Sequence, residues 1–261
     1  MKPLAVTWRL IVTEPADGAL NMAVDELLAE GVRSGESPAF RLYSWSLPCL
    51  SLGRNQPAVG RYDVEALRSA GIGVVRRPTG GRAVLHDAEV TYSVAAPARA
   101  WGSARRAYRA INEVLLEAIA SLGGAAHVHP ADQRPLTPLS TTPCFAEPAP
   151  GEVVADGRKL IGSAQLCERG VLLQHGSIPL RRSRALDRLP VELRGLIDGR
   201  PAHLENIVGI AVPPERLEEA VSSAWRGRIG AVEPGSLTEA EVGRAEVLAG
   251  RYRSDEWTWR Q

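Results

Sequence analysis

An α+β fold with a mixed β-sheet, built as a single domain, is predicted by three observations. Strand-like and helix-like segments are interleaved, but not in the strict strand–helix–strand alternation of a parallel α/β sheet. The 261 residues show no break in composition that marks a linker, and no repeat at a period of about 20–50 residues. Hydrophobic residues make up 44% and charged residues 23%, ordinary values for a chain that buries one sizeable core.

The elements follow in order. Residues 7–13 are rich in bulky and β-branched side chains and read as a strand. In 17–32, Leu20, Ala23, Val24, Leu27 and Leu28 fall at i, i+3, i+4, i+7 and i+8, one apolar helix face. Asp17 stands where a carboxylate accepts first-turn amides. Residues 40–45 and 50–52 read as strands joined by Ser46-Leu47-Pro48. Residues 63–70 read as a short helix stopped by Gly71, and 73–76 as a strand. Two more strands are expected at 83–85 and 90–95, with His86-Asp87-Ala88-Glu89 as the turn between them. The strongest helical pattern is 103–122, where Tyr108, Ile111, Leu115, Ile119 and Leu122 share a face; Ser103 caps the start and Gly123-Gly124 end it. From 129 to 150 six prolines fix φ and remove amide donors, so neither helix nor central strand is expected there. A loop of that length in a compact domain is usually functional or disordered. Residues 152–155, 159–166 and 171–178 read as strands turning at Gly157 and Gly170. Residues 214–227 and 238–250 read as helices, the second opened by the capping box Thr238-Glu239-Ala240-Glu241.

Charge and cysteine content exclude several classes. Lys plus Arg is 31 and Asp plus Glu 30, a formal net charge of +1, so a nonspecific nucleic-acid surface is not expected. Three cysteines, Cys49, Cys144 and Cys167, make no disulfide framework; the low odd count suits a reducing cytoplasm and leaves room for one reactive thiol. No uncharged run reaches the ~18 residues of a membrane helix. The basic N-terminus lacks the apolar stretch of a secretory leader.

Three stretches are suited to chemistry. In Arg76-Arg77-Pro78-Thr79-Gly80-Gly81-Arg82-Ala83-Val84-Leu85-His86-Asp87, two glycines let the backbone approach a ligand, and three arginines suit phosphate or carboxylate. It is neither a P-loop nor a GxGxxG fingerprint, and a glycine turn with solvated arginines is the competing reading. In Gly157-Arg158-Lys159-Leu160-Ile161-Gly162-Ser163-Ala164-Gln165, Lys159 opens an apolar strand and Gly162 permits close approach in mid-strand; an exposed hairpin lysine is the alternative. Cys144 lies in the proline-rich loop. A thiol must become thiolate to attack, and a nearby ammonium such as Lys159 favours that form; an inert buried side chain is the alternative. Cys49 fits a buried structural thiol and Cys167 an inert, half-exposed one. His127 and His129 offer two metal ligands without a matching third, a weak site. His86 and His175 each end a strand beside a glycine-bearing stretch. Ser163 lacks the Gly-x-Ser-x-Gly elbow of a serine hydrolase.

Taken together, these stretches resemble the lipoate and biotin ligase superfamily, over residues 8–257. The helix opening Asp17-Gly18-Ala19-Leu20-Asn21-Met22-Ala23-Val24-Asp25-Glu26, then Leu42-Tyr43-Ser44-Trp45 and Leu50-Ser51-Leu52-Gly53, precede a 76–87 stretch similar to the family's acyl-chain and carboxyl-binding loop. Residues 157–165 look like its lysine strand, and Ser254-Asp255-Glu256-Trp257 like the end of its catalytic domain. The resemblance implies one catalytic domain, its mixed sheet flanked by helices as in class II aminoacyl-tRNA synthetases. It implies no C-terminal accessory domain.

Within the superfamily the chain resembles the octanoyltransferase branch. The third glycine of the ligase loop is replaced by Arg82. Cys144-Phe145 is followed by Glu152-Val153 and by Lys159, fifteen residues after the cysteine, and then by Gln174-His175-Gly176-Ser177-Ile178. The resemblance implies transfer of octanoyl from octanoyl-acyl carrier protein to a lysine of the glycine cleavage H protein or a lipoyl domain, within lipoate biosynthesis and without ATP or another cofactor. It implies Cys144 as thioester carrier, with Lys159 favouring its thiolate. Arg76, Arg77, Thr79, Gly80, Gly81, Arg82, His86, Gly162, Ser163, Ala164, His175 and Gly176 are implied as substrate-binding. No metal, nucleic acid or membrane is implied. One departure is Cys167, which stands where the family usually has a basic residue two places after Gln165. The competing implication is an ATP-dependent lipoate–protein ligase acting through an acyl-adenylate, with Cys144 incidental.

Overall fold

A computed structural model describes residues 7–130 and 143–260. The chain runs β1 (Trp8–Val12), α1 (Gly18–Arg33), β2 (Ala39–Tyr43), β3 (Cys49–Leu52), α2 (Val64–Ser69), β4 (Gly73–Arg76), β5 (Val84–His86), β6 (Glu89–Pro97), α3 (Ala104–Ser121), β7 (His127–Val128), β8 (Val153–Ala155), β9 (Arg158–Glu168), β10 (Val171–Pro179), α4 (Val191–Ile197), α5 (Leu204–Val208), α6 (Pro214–Arg228), β11 (Val232–Gly235), α7 (Glu239–Arg253) and α8 (Asp255–Thr258). The α+β expectation with a mixed sheet holds. Among the described residues no helix is long and apolar enough to cross a membrane.

The strands form two sheets. The larger has the order β11-β1-β2-β6-β10-β9-β8-β7, and the smaller β4-β3-β5. In the large sheet β1 pairs parallel with β11 and β2, and every pairing from β2 to β7 is antiparallel. Side-chain alternation sends each strand's residues to two different layers. Phe40 and Leu42, with Tyr92 and Val94, face α3 and α6, where Ile111, Leu115, Val221 and Trp225 complete the main core. Trp225 stacks on Phe40 at 4.2 Å between ring centroids. The opposite face packs under α1 and α7: Ile11, Ala39, Ala95 and Leu173 meet Val24, Leu27 and Ala245. A second core joins the small sheet to α2 and α4 through Leu50, Leu52, Leu67, Ile72, Leu193 and Ile197.

The capping residues act as their chemistry predicts. Asp17, Asp63 and Ser103 side chains accept the amides of Leu20, Ala66 and Arg106, and Thr238 with Glu241 forms the capping box of α7. Two expectations change. Strands 83–85 and 90–95 are not neighbours across a turn: β5 pairs with β3 and β6 with β2 and β10, so the chain crosses between sheets at Asp87-Ala88. The segment left unassigned from 180 to 213 holds α4 and α5, both short and preceded by no side-chain cap. The edge strand β11 tolerates Pro234 because an edge position does not require its missing amide. Of the proline-rich loop, residues 131–142 lie outside the described residues.

Candidate active site

Two local devices bring Cys144 and Lys159 together. After β8, Asp156 and Gly157 have φ of 50° and 70°, the two left-handed residues that a type I′ turn demands. The chain therefore reverses in two residues, with Ala155 opposite Arg158, and the next residue, Lys159, is turned inward and is 2% exposed. It is a buried lysine, not an exposed hairpin one. Cys144 is held from the other side. Its N–H donates to Ala83 O at 3.1 Å, and the adjoining Phe145 ring seats on Gly162, where a Cβ would come within 2.9 Å of Phe145 Cζ. Gly162 thus serves the close approach read from its mid-strand position.

Lys159 Nζ donates to Glu152 Oε1 at 2.6 Å, Cys144 O at 3.1 Å and Cys144 Sγ at 3.2 Å. Three donors meet three acceptors, the full capacity of an ammonium. Glu152 Oε2 accepts the Ala149 amide at 2.7 Å and ties the 144–152 loop to the lysine. Burial pushes the Lys159 ammonium down, but attraction to Cys144 and Glu152 outweighs it, so the group holds its proton above the ordinary lysine range. The half-buried Cys144 opens onto a cavity of 330 Å³ whose accessible lining is mainly apolar. Met22, Tyr43, Trp45 and Val84 contribute to its walls. That volume lies at the small end of ligand pockets, ~300–1,000 Å³, and suits a slender chain.

Two buried carboxylate–imidazole–hydroxyl rows present their imidazoles to this cavity. In one, Asp25 Oδ2 accepts from His175 Nδ1 at 3.0 Å, and His175 Nε2 accepts from Thr79 Oγ1 at 2.6 Å. Burial pushes His175 below its ordinary pKa against the pull of Asp25, so the ring is neutral. In the other, Glu89 Oε1 accepts from His86 Nδ1 at 2.8 Å, and His86 Nε2 lies 2.7 Å from Ser51 Oγ. Trp45 stacks on His86 at 4.0 Å and donates its indole N–H to Thr91. Asp25 also takes Arg41, Tyr43 and Ser93, so its charge is fully bonded.

Of the residues singled out in the sequence, Arg77, Gly81, Arg82, His86, Gly162, Ser163, Ala164, His175 and Gly176 line this cavity with Cys144 and Lys159. Arg76, Thr79 and Gly80 do not. The Arg76 guanidinium, fully buried, donates to the carbonyls of Gly53, Gln56 and Thr258 and so stitches the loop after β3 to α8. Its donors are spent on backbone carbonyls. Thr79 bonds to His175, which lines the cavity. Arg77 lines the cavity but holds its wall: it donates to Ser51 O, Ser51 Oγ, Gly80 O and Arg82 O, and burial lowers it to about 10. Among the described residues, the N–H groups of Gly80 and Gly81 have no acceptor. Gly176 is required by space, since a Cβ there would meet Tyr92 Cε1 at 2.5 Å and Ser163 Oγ at 2.7 Å. Cys49 is buried and its thiol is pushed far up by burial, while Cys167 is exposed.

Sequence reasoning placed Glu152 in a motif without giving it a role, and gave none to Asp25, Glu89 or Ser51. For Glu152 a signal existed: it stands seven residues before Lys159 across a two-residue turn, close enough to face it. The pairing of Asp25 on α1 with His175 on β10 has no such local signature.

Residues 17–188 match the family model described as the lipoyl protein ligase A/B catalytic domain. The chain belongs to that family. Among its relatives, octanoyltransferase LipM of Kyrpidia tusciae is 43% identical over 98% of this chain and 99% of its own. Octanoyltransferase LipM of Moorella thermoacetica is 38% identical over the same shares. The family fold is shared by solved structures at 22% identity. These include a lipoate-protein ligase A bound with ATP (TM-score 0.76, covering 97% of this chain and 98% of the other) and the bi-partite lipoate protein ligase of Thermoplasma acidophilum (TM-score 0.76, 97% and 96%).

Proposed function

We propose that this chain transfers an octanoyl group in lipoate biosynthesis, from octanoyl-acyl carrier protein to a lysine of the glycine cleavage H protein or a lipoyl domain, by way of a thioester on Cys144. It is an acyltransferase, as its full-length relatives named octanoyltransferase are. The observation that carries the route is the 3.2 Å contact between Lys159 Nζ and Cys144 Sγ at the mouth of an apolar cavity.

The chemistry is a pair of substitutions at one carbonyl. With the acyl chain in the cavity, the Cys144 thiolate attacks the donor thioester. A new C–S bond forms, the donor's C–S bond breaks, and the departing thiolate takes a proton from the Lys159 ammonium. The acceptor amine then attacks the Cys144 thioester, and its proton returns to Lys159. The amide is released and the thiolate again faces an ammonium, so the cycle balances without a nucleotide. The N–H group of Gly81, which lines the cavity, is free among the described residues to receive the carbonyl oxygen; one such donor is worth about 100-fold in rate.

Intact-protein mass spectrometry after mixing with octanoyl-acyl carrier protein, without ATP, tests the reading. The expected result is a gain of one octanoyl group that hydroxylamine removes and that Cys144→Ala lacks. Acylation that appears only with ATP and free acid overturns it.

A further inference from the structure

Cys144 lines a second cavity besides the apolar one. It has a volume of 320 Å³ and lies between β5, the chain after β10 and the segment 197–203. A thioester has two arms, and a nucleophile at its carbonyl must leave room for both. The apolar lining of the first cavity suits one of them, the acyl chain. The second cavity is built differently: Arg158, Arg181, Arg182 and Arg200 line it. Arg182 is taken by Asp187 at 2.7 Å. Arg158, Arg181 and Arg200 are exposed and have no carboxylate partner among the described residues. The carboxylates in the same lining are engaged otherwise. Glu89 is buried under His86, Asp87 accepts from Ser183 Oγ at 2.7 Å, and Asp198 accepts the Arg200 amide at 2.9 Å. The result is a cavity that Cys144 lines together with guanidinium groups unpaired among the described residues, suited to a thiol-terminated arm that carries an anion.

We propose that this second cavity receives the phosphopantetheine arm of the octanoyl donor, with its phosphate held by Arg158, Arg181 and Arg200. The assignment rests on the thioester reading given above. It places the donor's sulfur at Cys144 with octanoyl in one cavity and the arm in the other. When the C–S bond to Cys144 forms and the donor's C–S bond breaks, the arm leaves as a thiol, its proton taken from Lys159. The cavity is then free for the acceptor's lysine.

The test compares two small donors, octanoyl-phosphopantetheine and octanoyl-pantetheine, the second lacking only the phosphate. The second-order rate of octanoyl addition to the full chain is followed by intact mass. The wild type should react faster with the phosphorylated donor by roughly tenfold or more, the worth of one hydrogen bond to a charged group. In Arg181→Gln/Arg200→Gln the ratio of the two rates should fall toward one. Both positions are exposed, and a thermal melt of the variant reports its folding. Equal wild-type rates, or a ratio untouched by the double substitution, overturn the assignment. If neither donor adds octanoyl to the wild type, the thioester reading fails with it. An adduct formed only from octanoate and ATP would give the same arginines to an adenylate phosphate, and the pantetheine assignment would fall.

Discussion

Glu152 Oε1 accepts from Lys159 Nζ at 2.6 Å, shorter than either contact Lys159 makes to Cys144. Glu152 is therefore the group that fixes where the ammonium stands, and its charge is one of the two that hold the lysine's proton. Glu152→Gln keeps the shape and removes the charge. Lys159 then loses its proton at lower pH, and with it the ability to protonate the leaving thiolate. The expected outcome is a fall of about tenfold or more in the acylation rate and a descending limb of the pH–rate profile moved to lower pH. A profile identical to wild type would show that Glu152 only ties down the loop.

Gly162 touches Phe145 so closely that a methyl group would lie 2.9 Å from Cζ and 3.3 Å from Lys159 Cε. Gly162→Ala must displace the ring that adjoins Cys144. The strain of such overpacking is about 1–3 kcal/mol, enough to lower Tm without unfolding the chain. Acylation should fall much further, roughly 100-fold, because misplacing a nucleophile by about 1 Å is costly. Gly195→Ala, on α4 with nothing near its added methyl group, is the matched control. Parallel losses of Tm and rate in the two variants would refute the argument.

The Asp25–His175 pair makes stability pH-dependent with a definite sign. Burial, opposed by Asp25, depresses His175; the bonds from His175 and Arg41 overcome burial to depress Asp25. Both groups bind protons less readily folded than unfolded, so both contribute stability that is present at high pH and lost on acidification. For His175 the loss begins as pH falls below about 6.5, the unfolded histidine value, and is complete below its folded pKa; for Asp25 it begins below the carboxylate range. Wild-type Tm should fall on going from pH 7 to pH 5, and His175→Asn should flatten that portion of the curve. A curve equally steep in the variant would assign the loss to other groups.

The fold was largely legible because its signals are local. Caps at Asp17, Asp63, Ser103 and Thr238, and the glycines of the two strand turns after β8 and β9, each need only a few neighbouring residues to act. What was not legible depends on tertiary arrangement. The division of β5 and β6 between two sheets is set by which core each strand completes, and their turn-like linker is silent about it. In the site, Cys144, Lys159 and the glycines were readable as residue types suited to the chemistry. The roles of the arginines were not, because a buried guanidinium binds whichever carbonyls surround it, and those of Gly53, Gln56 and Thr258 reach Arg76 from 20 or more positions away.

Arg76 and Arg77 are adjacent in sequence and opposite in consequence, which gives a last prediction. Arg76 bonds the loop after β3 and the C-terminal α8, and Trp257 Nε1 returns a bond to Arg76 O at 2.8 Å. Arg76→Gln leaves several buried carbonyls without a donor, each costing about 1–3 kcal/mol. At about 2–4 °C per kcal/mol for a chain of this size, Tm should drop by roughly 5–10 °C, while KM for a small octanoyl thioester, measured well below the melt, stays at its wild-type value. Arg77→Gln releases Ser51, Gly80 and Arg82 in the cavity wall itself. There the acylation rate and the KM should both worsen. Should Arg76→Gln keep its Tm and raise KM instead, the guanidinium would be a ligand group after all, and the backbone carbonyls around it only incidental.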